Sequence, residues 1–172
     1  MKTEIVAQLR ASFERMKPFN SSRAGAAGLE VELASAPIRR LADAAFSASY
    51  TLLDTETLRG DAASLGKALP YRARHRLYAR AGVAPGPVEL HVEAHLVSLQ
   101  YTDAANLAAI PAATVWNAGG SVALWRPAAL RLHLEVRNLA DDRTLLDGLG
   151  NPLPGRMVML TLRAGSTDTG AP

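Results

Sequence analysis

Three groups of residues have the types and spacing to do chemistry. His91, Glu93 and His95 occupy alternate positions of one stretch, and His133 and Glu135 repeat the spacing farther along. Imidazole and carboxylate together can hold zinc or copper. Alternate residues of a strand stand about 6.5–7 Å apart, which is wide for three ligands on one ion. A strand-borne His-x-Glu-x-His also differs from the helical HExxH of metalloproteases, so no hydrolase follows. Arg72, Arg74, Arg76 and Arg80, with His75 beside them, make a basic row. It suits an anionic substrate or lipopolysaccharide, or else cross-strand pairing with Glu89 and Glu93. Asp141, Asp142, Asp147 and Asn151 share one polar stretch whose spacing matches no EF-hand, so an exposed acidic loop is the simpler reading. Candidate ligand contacts are therefore Arg74, Arg76, His91, Glu93, His95, His133, Asp141 and Asp142, and no catalytic residue, metal or cofactor is assigned. A glycine-rich phosphate loop and a Ser-His-Asp signature are both missing from the sequence.

Composition narrows the setting. A length of 172 residues suits one domain, and 48% hydrophobic with 20% charged residues suits a packed chain. The absence of cysteine rules out a disulfide frame, a thiolate metal site and a thiol nucleophile. No apolar run reaches the ~18 residues of an ordinary membrane-spanning helix. The start, Met1-Lys2-Thr3-Glu4, leads into too short an apolar run for a secretory signal. A formal charge of +3 is a weak argument for nucleic acid, and none is assigned as a partner.

The elements that must carry these residues are strands. Val88, Leu90, Val92, Ala94 and Leu96 alternate with Glu89, His91, Glu93 and His95, and Leu130, Leu132, Leu134 and Val136 alternate with Arg131, His133, Glu135 and Arg137. Neighbouring side chains of a strand point to opposite faces, so each segment has one aliphatic and one ionisable face, sets that a helix would mix. Weaker alternation predicts strands at Leu29–Leu33, Ala44–Leu53, Arg74–Val83, Val115–Trp125 and Arg156–Arg163. The stretch Glu4–Lys17 is poorly patterned and is expected to add one or two strands. Short proline-containing links at Ser35-Ala36-Pro37, Ala84-Pro85-Gly86-Pro87 and Arg126-Pro127-Ala128 alternate with long links over about 56–70, 102–111 and 140–155. The expected fold is all-β: an antiparallel up-and-down meander of about 8–9 strands, forming part of a transmembrane β-barrel or a small one.

Alternation alone fits two solvents. A soluble sandwich or barrel, serving as a binding or structural module, would turn the aliphatic face inward; a membrane barrel turns it to lipid. Strands of roughly 9–11 residues fit a tilted bilayer crossing. Short turns at one end with long loops at the other fit an outer-membrane barrel. Tyr50, Tyr71, Tyr101, Trp116 and Trp125 lie near strand ends, where an interfacial aromatic girdle belongs. Alanines 44, 48, 79 and 81 would make a thin soluble core. These signs favour the membrane.

Several motifs, in order, resemble the C-terminal barrel of TonB-dependent outer-membrane receptors. They are the stretch Asn20-Ser21-Ser22-Arg23-Ala24 running on to Leu33, Ser47-Ala48-Ser49-Tyr50-Thr51-Leu52-Leu53-Asp54, Gly66-Lys67-Ala68-Leu69-Pro70 running on to His75, and Tyr101-Thr102-Asp103 with Val115-Trp116-Asn117-Ala118-Gly119. Val136-Arg137-Asn138-Leu139-Ala140-Asp141-Asp142-Arg143 and Asn151-Pro152-Leu153-Pro154-Gly155-Arg156 follow. The resemblance covers about residues 20–163. It implies a segment of a barrel of about 22 strands, located in the outer membrane, in receptors that take up metal chelates, cobalamin or sugars without catalysis. Ala73 stands where the family has a proline, Ala140 where it has a phenylalanine, and no terminal aromatic follows Leu162-Arg163. Plug domain, coupling box and signal sequence are not found, so the expectation is a fragment, a truncated product or one piece of a split assembly, not autonomous in transport. Residues 1–163 are expected to form the barrel segment and 164–172 a disordered polar tail. Expected partners are outer-membrane lipid and, at open sheet edges, a missing plug or barrel portion or another chain.

Overall fold

A computed structural model describes residues 5–14, 23–125 and 130–165. Its strands are β1 (Ile5–Glu14), β2 (Arg23–Ser35), β3 (Ala45–Arg59), β4 (His75–Val83), β5 (Val88–Val97), β6 (Gln100–Tyr101), β7 (Ala109–Ile110), β8 (Ala113–Trp125), β9 (Leu130–Arg137) and β10 (Met157–Arg163). A single turn of 3-10 helix, Arg39–Leu41, is the only helical element among the described residues. Eight strands form one antiparallel sheet in the order β1-β2-β3-β4-β5-β8-β9-β10, while β6 and β7 make a small separate hairpin. The expected meander is therefore present, and Ile5–Glu14 forms one full strand. β1 pairs with β2 over ten residues, from Ile5 opposite Ser35 to Glu14 opposite Ala26.

Register explains why the two faces stay separate from strand to strand. Val83 lies opposite Leu90, Leu90 opposite Gly120, Gly120 opposite Leu134 and Leu134 opposite Leu160. One aliphatic row thus crosses five strands, and a slip of one residue at any junction would throw a leucine onto the charged face. The β4–β5 turn, residues 84–87, sets this register with Gly86 at φ 66°, a left-handed conformation that a side chain would oppose.

Connections of unequal length are sorted to opposite ends. Residues 36–44 and 84–87 link strands at one end, while 60–74, 98–112 and 138–156 link them at the other. The expected turn at Arg126-Pro127-Ala128 lies outside the described residues, as do Asn20-Ser21-Ser22 and most of the polar tail.

Burial is confined largely to the long-loop end. Among the described residues Ala73, Ile110 and Leu145 are the buried hydrophobic ones, joined by Thr57, Ser64, Gln100, Ser121 and Asn138. The sheet itself has no second layer among the described residues. Leu90, Leu134, Val158 and Leu160 are 51%, 47%, 63% and 68% exposed. In water each such side chain forgoes roughly 1.5–3 kcal/mol of burial. A soluble sandwich would cover this face with a second sheet; here the aliphatic row stands open.

Candidate functional site

The face opposite the aliphatic rows is built from alternate residues of the same strands, and several of its charges are paired. Because Val83 is opposite Leu90, the hairpin places Arg80 opposite Glu93 and Tyr78 opposite His95. Arg80 Nη1 donates to Glu93 Oε1 at 2.7 Å, Tyr78 Oη donates to the same oxygen at 3.2 Å, and His95 Nε2 lies 3.7 Å from Glu93 Oε2. The Tyr78 and His95 rings pack with centroids 4.8 Å apart. One strand over, Arg131 Nη2 donates to Glu89 Oε1 at 2.6 Å and to Ser121 Oγ at 3.1 Å. Arg137 Nε donates to Glu135 Oε1 at 2.6 Å.

His91 faces Gly119 across β5 and β8. A Cβ at Gly119 would lie 2.7 Å from His91 Cε1 and 2.9 Å from His91 Nε2, so the imidazole occupies the space that the glycine leaves. On the aliphatic face Gly120 does the same for Leu90, whose Cδ2 would sit 2.7 Å from an added Cβ. The two adjacent glycines thus let β5 lay a histidine over one side of β8 and a leucine over the other. His133 stands opposite Ser121, and its Nε2 is buried without a hydrogen bond.

The sequence-derived candidates are therefore distributed, not gathered. Glu93 and His95 meet, while His91 and His133 lie opposite different β8 residues. Among the described residues no three metal-ligating side chains come together. The basic row does not pair as a unit with Glu89 and Glu93. Arg80 alone reaches Glu93; Arg74 instead has its Nε 3.6 Å from Asp54 Oδ1. The reason is register: Arg76 stands opposite Val97, beyond reach of either glutamate. His75 shares the aliphatic face with Leu77, and its Nδ1 is 2.7 Å from Tyr50 Oη, with the two rings stacked. Tyr50 and Trp116 also lie on this face.

The acidic candidates serve their own loop. Asp141 Oδ1 accepts the Arg156 amide at 2.8 Å, and Asp142 Oδ1 accepts the Thr144 amide at 2.8 Å. Asp147 Oδ1 accepts the Leu149 and Asn151 amides, each at 2.8 Å. Three organising residues lay outside the sequence-derived set. Asp103 accepts amides from Ala105, Leu107 and Ala108, the last at 2.6 Å. Asn106 clamps the 60–74 loop by accepting from Ala68 N and donating to Ala68 O, both at 2.9 Å, while Tyr71 N donates to Tyr101 O at 2.7 Å. Asn138 donates from Nδ2 to Asp142 O at 2.8 Å and accepts the Asp142 amide at 3.0 Å. Both asparagines have positive φ, 60° and 53°, which Asn tolerates better than most residues; Asn138 directly follows β9, whereas Asn106 lies in the turn between β6 and β7.

These contacts make the loops acid-sensitive. Hydrogen bonds from the Ala108 and Leu107 amides hold the Asp103 carboxyl below the ordinary 3.8. Those from the Asn151 side chain and amide do the same for Asp147. A carboxyl with a depressed folded-state pKa contributes stability that is present above its unfolded value and lost as pH falls through the folded one. The Leu107 and Ala108 amide resonances are therefore expected to titrate with a midpoint below 3.8. A midpoint at or above that value in an NMR titration would show that the carboxylate does not hold the loop.

No protein-family model matches the chain, and no curated protein is a significant match. Solved structures do resemble it. The siderophore receptor PiuA from Acinetobacter baumannii superposes with a TM-score of 0.73 at 18% identity, over 93% of this chain and 26% of that one. The ferric yersiniabactin uptake receptor FyuA from Yersinia pestis gives 0.73 at 16% identity, over 93% and 27%. The ferric citrate transporter FecA in its unliganded form gives 0.70 at 18%, over 94% and 28%. The chain thus spans just over a quarter of the length of each of these proteins. At such identities the likeness establishes the fold: an all-β, antiparallel up-and-down meander shared with a portion of these β-barrel receptors.

Proposed function

We propose that the chain is an outer-membrane receptor segment: a stretch of barrel wall, residues 1–163, with a polar tail over 164–172, which contributes to uptake of a metal chelate or similar ligand and carries out no catalysis. The observation that carries the reading is a single eight-stranded sheet with one uncovered aliphatic face and one ion-paired face. Lipid is the solvent that stabilises the first, and a hydrated lumen suits the second. The likeness to siderophore and ferric-chelate receptors and the motif resemblance to TonB-dependent receptors support the same placement. On this reading the wall is not autonomous: its outer partner is outer-membrane lipid, and its two edge strands pair with further barrel strands or another chain.

The test is extraction and labelling. The protein is expected in the outer-membrane fraction, soluble only with detergent and with heat-modifiable gel mobility. Spin labels at Leu90 and Leu132 are expected to be reached by lipid-borne quenchers. A monodisperse monomer in plain buffer, with both labels shielded from lipid, would overturn the proposal.

A further inference from the structure

At the short-link end the aliphatic face is indented. Phe46, Ala81 and Val92 stand opposite one another across β3, β4 and β5, so a methyl group lies between two large side chains. With Ile38, Val83 and Leu90 they line an open groove of about 410 Å³. The 36–44 link closes one end of it. Ile38 N donates to Ala44 O at 2.8 Å, and Ala84 N donates to Ala42 O at 2.8 Å, which pins the link to the β4–β5 turn. Directly after Ile38 the link makes its 3-10 turn, Arg39–Leu41, with two exposed arginines and a leucine that is 61% exposed. Asp43, the acid of the same link, lines a depression on the ion-paired face together with Arg80 and Glu89. The other cations at this end of the described residues stand elsewhere: Arg131 donates to Glu89, and Arg163 ends β10, four strands from β4. Place sets Arg39 and Arg40 apart, because they adjoin an apolar groove.

From this juxtaposition we infer that the groove and the Arg39-Arg40 pair form a site for one anionic phospholipid, its phosphate at the arginines and an acyl chain along the groove. The assignment rests on the proposed membrane placement, which puts the short links at the periplasmic interface. It names a particular lipid where that placement needs only hydrocarbon. An apolar groove on a lipid-facing wall admits a hydrocarbon chain, and phosphate is the anion that a bilayer lipid carries at the depth of a strand end. Guanidinium pairs with phosphate through bidentate, charge-assisted hydrogen bonds. Each arginine beside an anionic membrane surface strengthens binding by about fivefold. A zwitterionic lipid brings the same chains and phosphate, but its own cation offsets that gain. A soluble phosphate ester brings the anion without the chain, and leaves the groove empty.

The experiment uses the full chain folded in detergent, with heat-modifiable mobility recorded first for every variant. Native mass spectrometry then counts retained lipid during titration. The probes are phosphatidylglycerol, phosphatidylcholine with the same two acyl chains, and glycerol 3-phosphate. One phosphatidylglycerol is expected per chain, bound at least fivefold more tightly than phosphatidylcholine, and glycerol 3-phosphate is expected not to bind. Arg39→Gln with Arg40→Gln is expected to lower phosphatidylglycerol to the phosphatidylcholine level and to leave phosphatidylcholine unchanged. Arg39→Lys with Arg40→Lys keeps both charges and is expected to retain a preference between those two extremes. Ala81→Phe fills the floor of the groove and is expected to weaken both lipids while their ratio persists. A heat-modifiable chain that binds the two lipids equally, or whose preference survives in the double glutamine variant, overturns this assignment and leaves the membrane placement intact. Binding of glycerol 3-phosphate as tight as that of phosphatidylglycerol overturns it as well, since the groove would then contribute nothing. A chain without heat-modifiable mobility overturns the placement, and the assignment with it.

Discussion

Leu134→Arg is expected to shift the folding equilibrium in lipid vesicles by about 2–4 kcal/mol, the range for arginine on the lipid face near the bilayer midplane. The residue sits midway along β9, in the row that joins Val83, Leu90, Gly120 and Leu160. It is 47% exposed, and no second layer covers it among the described residues. In water a substitution at so open a position is nearly silent, within about 0.5 kcal/mol. The two solvents therefore predict results that differ by roughly tenfold or more in the folded ratio, since each 1.4 kcal/mol is a factor of ten. Thr161→Arg is the matched control. It lies on the next strand but on the ion-paired face, opposite His133, and is expected to change little. Urea-driven equilibrium unfolding in vesicles decides it: equal effects at the two positions would mean that the aliphatic face does not meet lipid.

The second large effect is expected at Asn138→Ala. Asn138 is 5% exposed, and its side chain both donates to and accepts from the backbone of Asp142. Its amide donates to Asn117 Oδ1 at 3.1 Å, which ties the start of the 138–156 loop to β8. Truncation leaves part-buried backbone groups of Asp142 unpaired, at about 1–3 kcal/mol. Alanine also tolerates the positive φ less well, by roughly 1 kcal/mol. The combined loss of about 2–4 kcal/mol falls on the loop more than on the sheet. Trypsin cleavage after Arg143 is thus expected to accelerate by ten-fold or more while strand content is unchanged. Asn138→Gly retains the backbone conformation without the hydrogen bonds and should recover only the smaller part. An unchanged cleavage rate in both variants would mean that the loop is held from elsewhere.

What the sequence made visible was the contrast between faces, and only where the contrast is strong. Val88–Leu96 and Leu130–Arg137 alternate cleanly between aliphatic and charged residues, and both are strands at those positions. β2 begins at Arg23, well before Leu29, because its first half is Ala24-Gly25-Ala26-Ala27-Gly28, which carries almost no hydropathy signal. β3 runs on to Arg59 because the strand outlasts its apolar part, with Asp54, Thr55 and Glu56 extending it toward the loops. β1 was obscured by Ala7, Ala11 and Val6, which soften an alternation that ten residues of pairing make plain. The loop end was least legible. Asn106 acts on Ala68 across 38 residues, and a contact that depends on two loops meeting leaves no local pattern. The ion pairs were partly legible. Once Val83 faces Leu90, Arg80 must face Glu93, and the same arithmetic excludes Arg76 from that pairing.

Every strand of the large sheet is bonded only to its neighbours along the chain, with the small β6–β7 hairpin set aside in a loop. Such a wall can grow by accretion, one hairpin after another, each closing its own turn or loop on a strand already present. The geometry of any stretch is then fixed by the stretch itself and the strand beside it. Hairpins become the natural unit of insertion, deletion and exchange, as repeats are in a solenoid. That local inheritance of shape explains how the register of β2 through β10 can be complete over a span matching just over a quarter of a larger receptor.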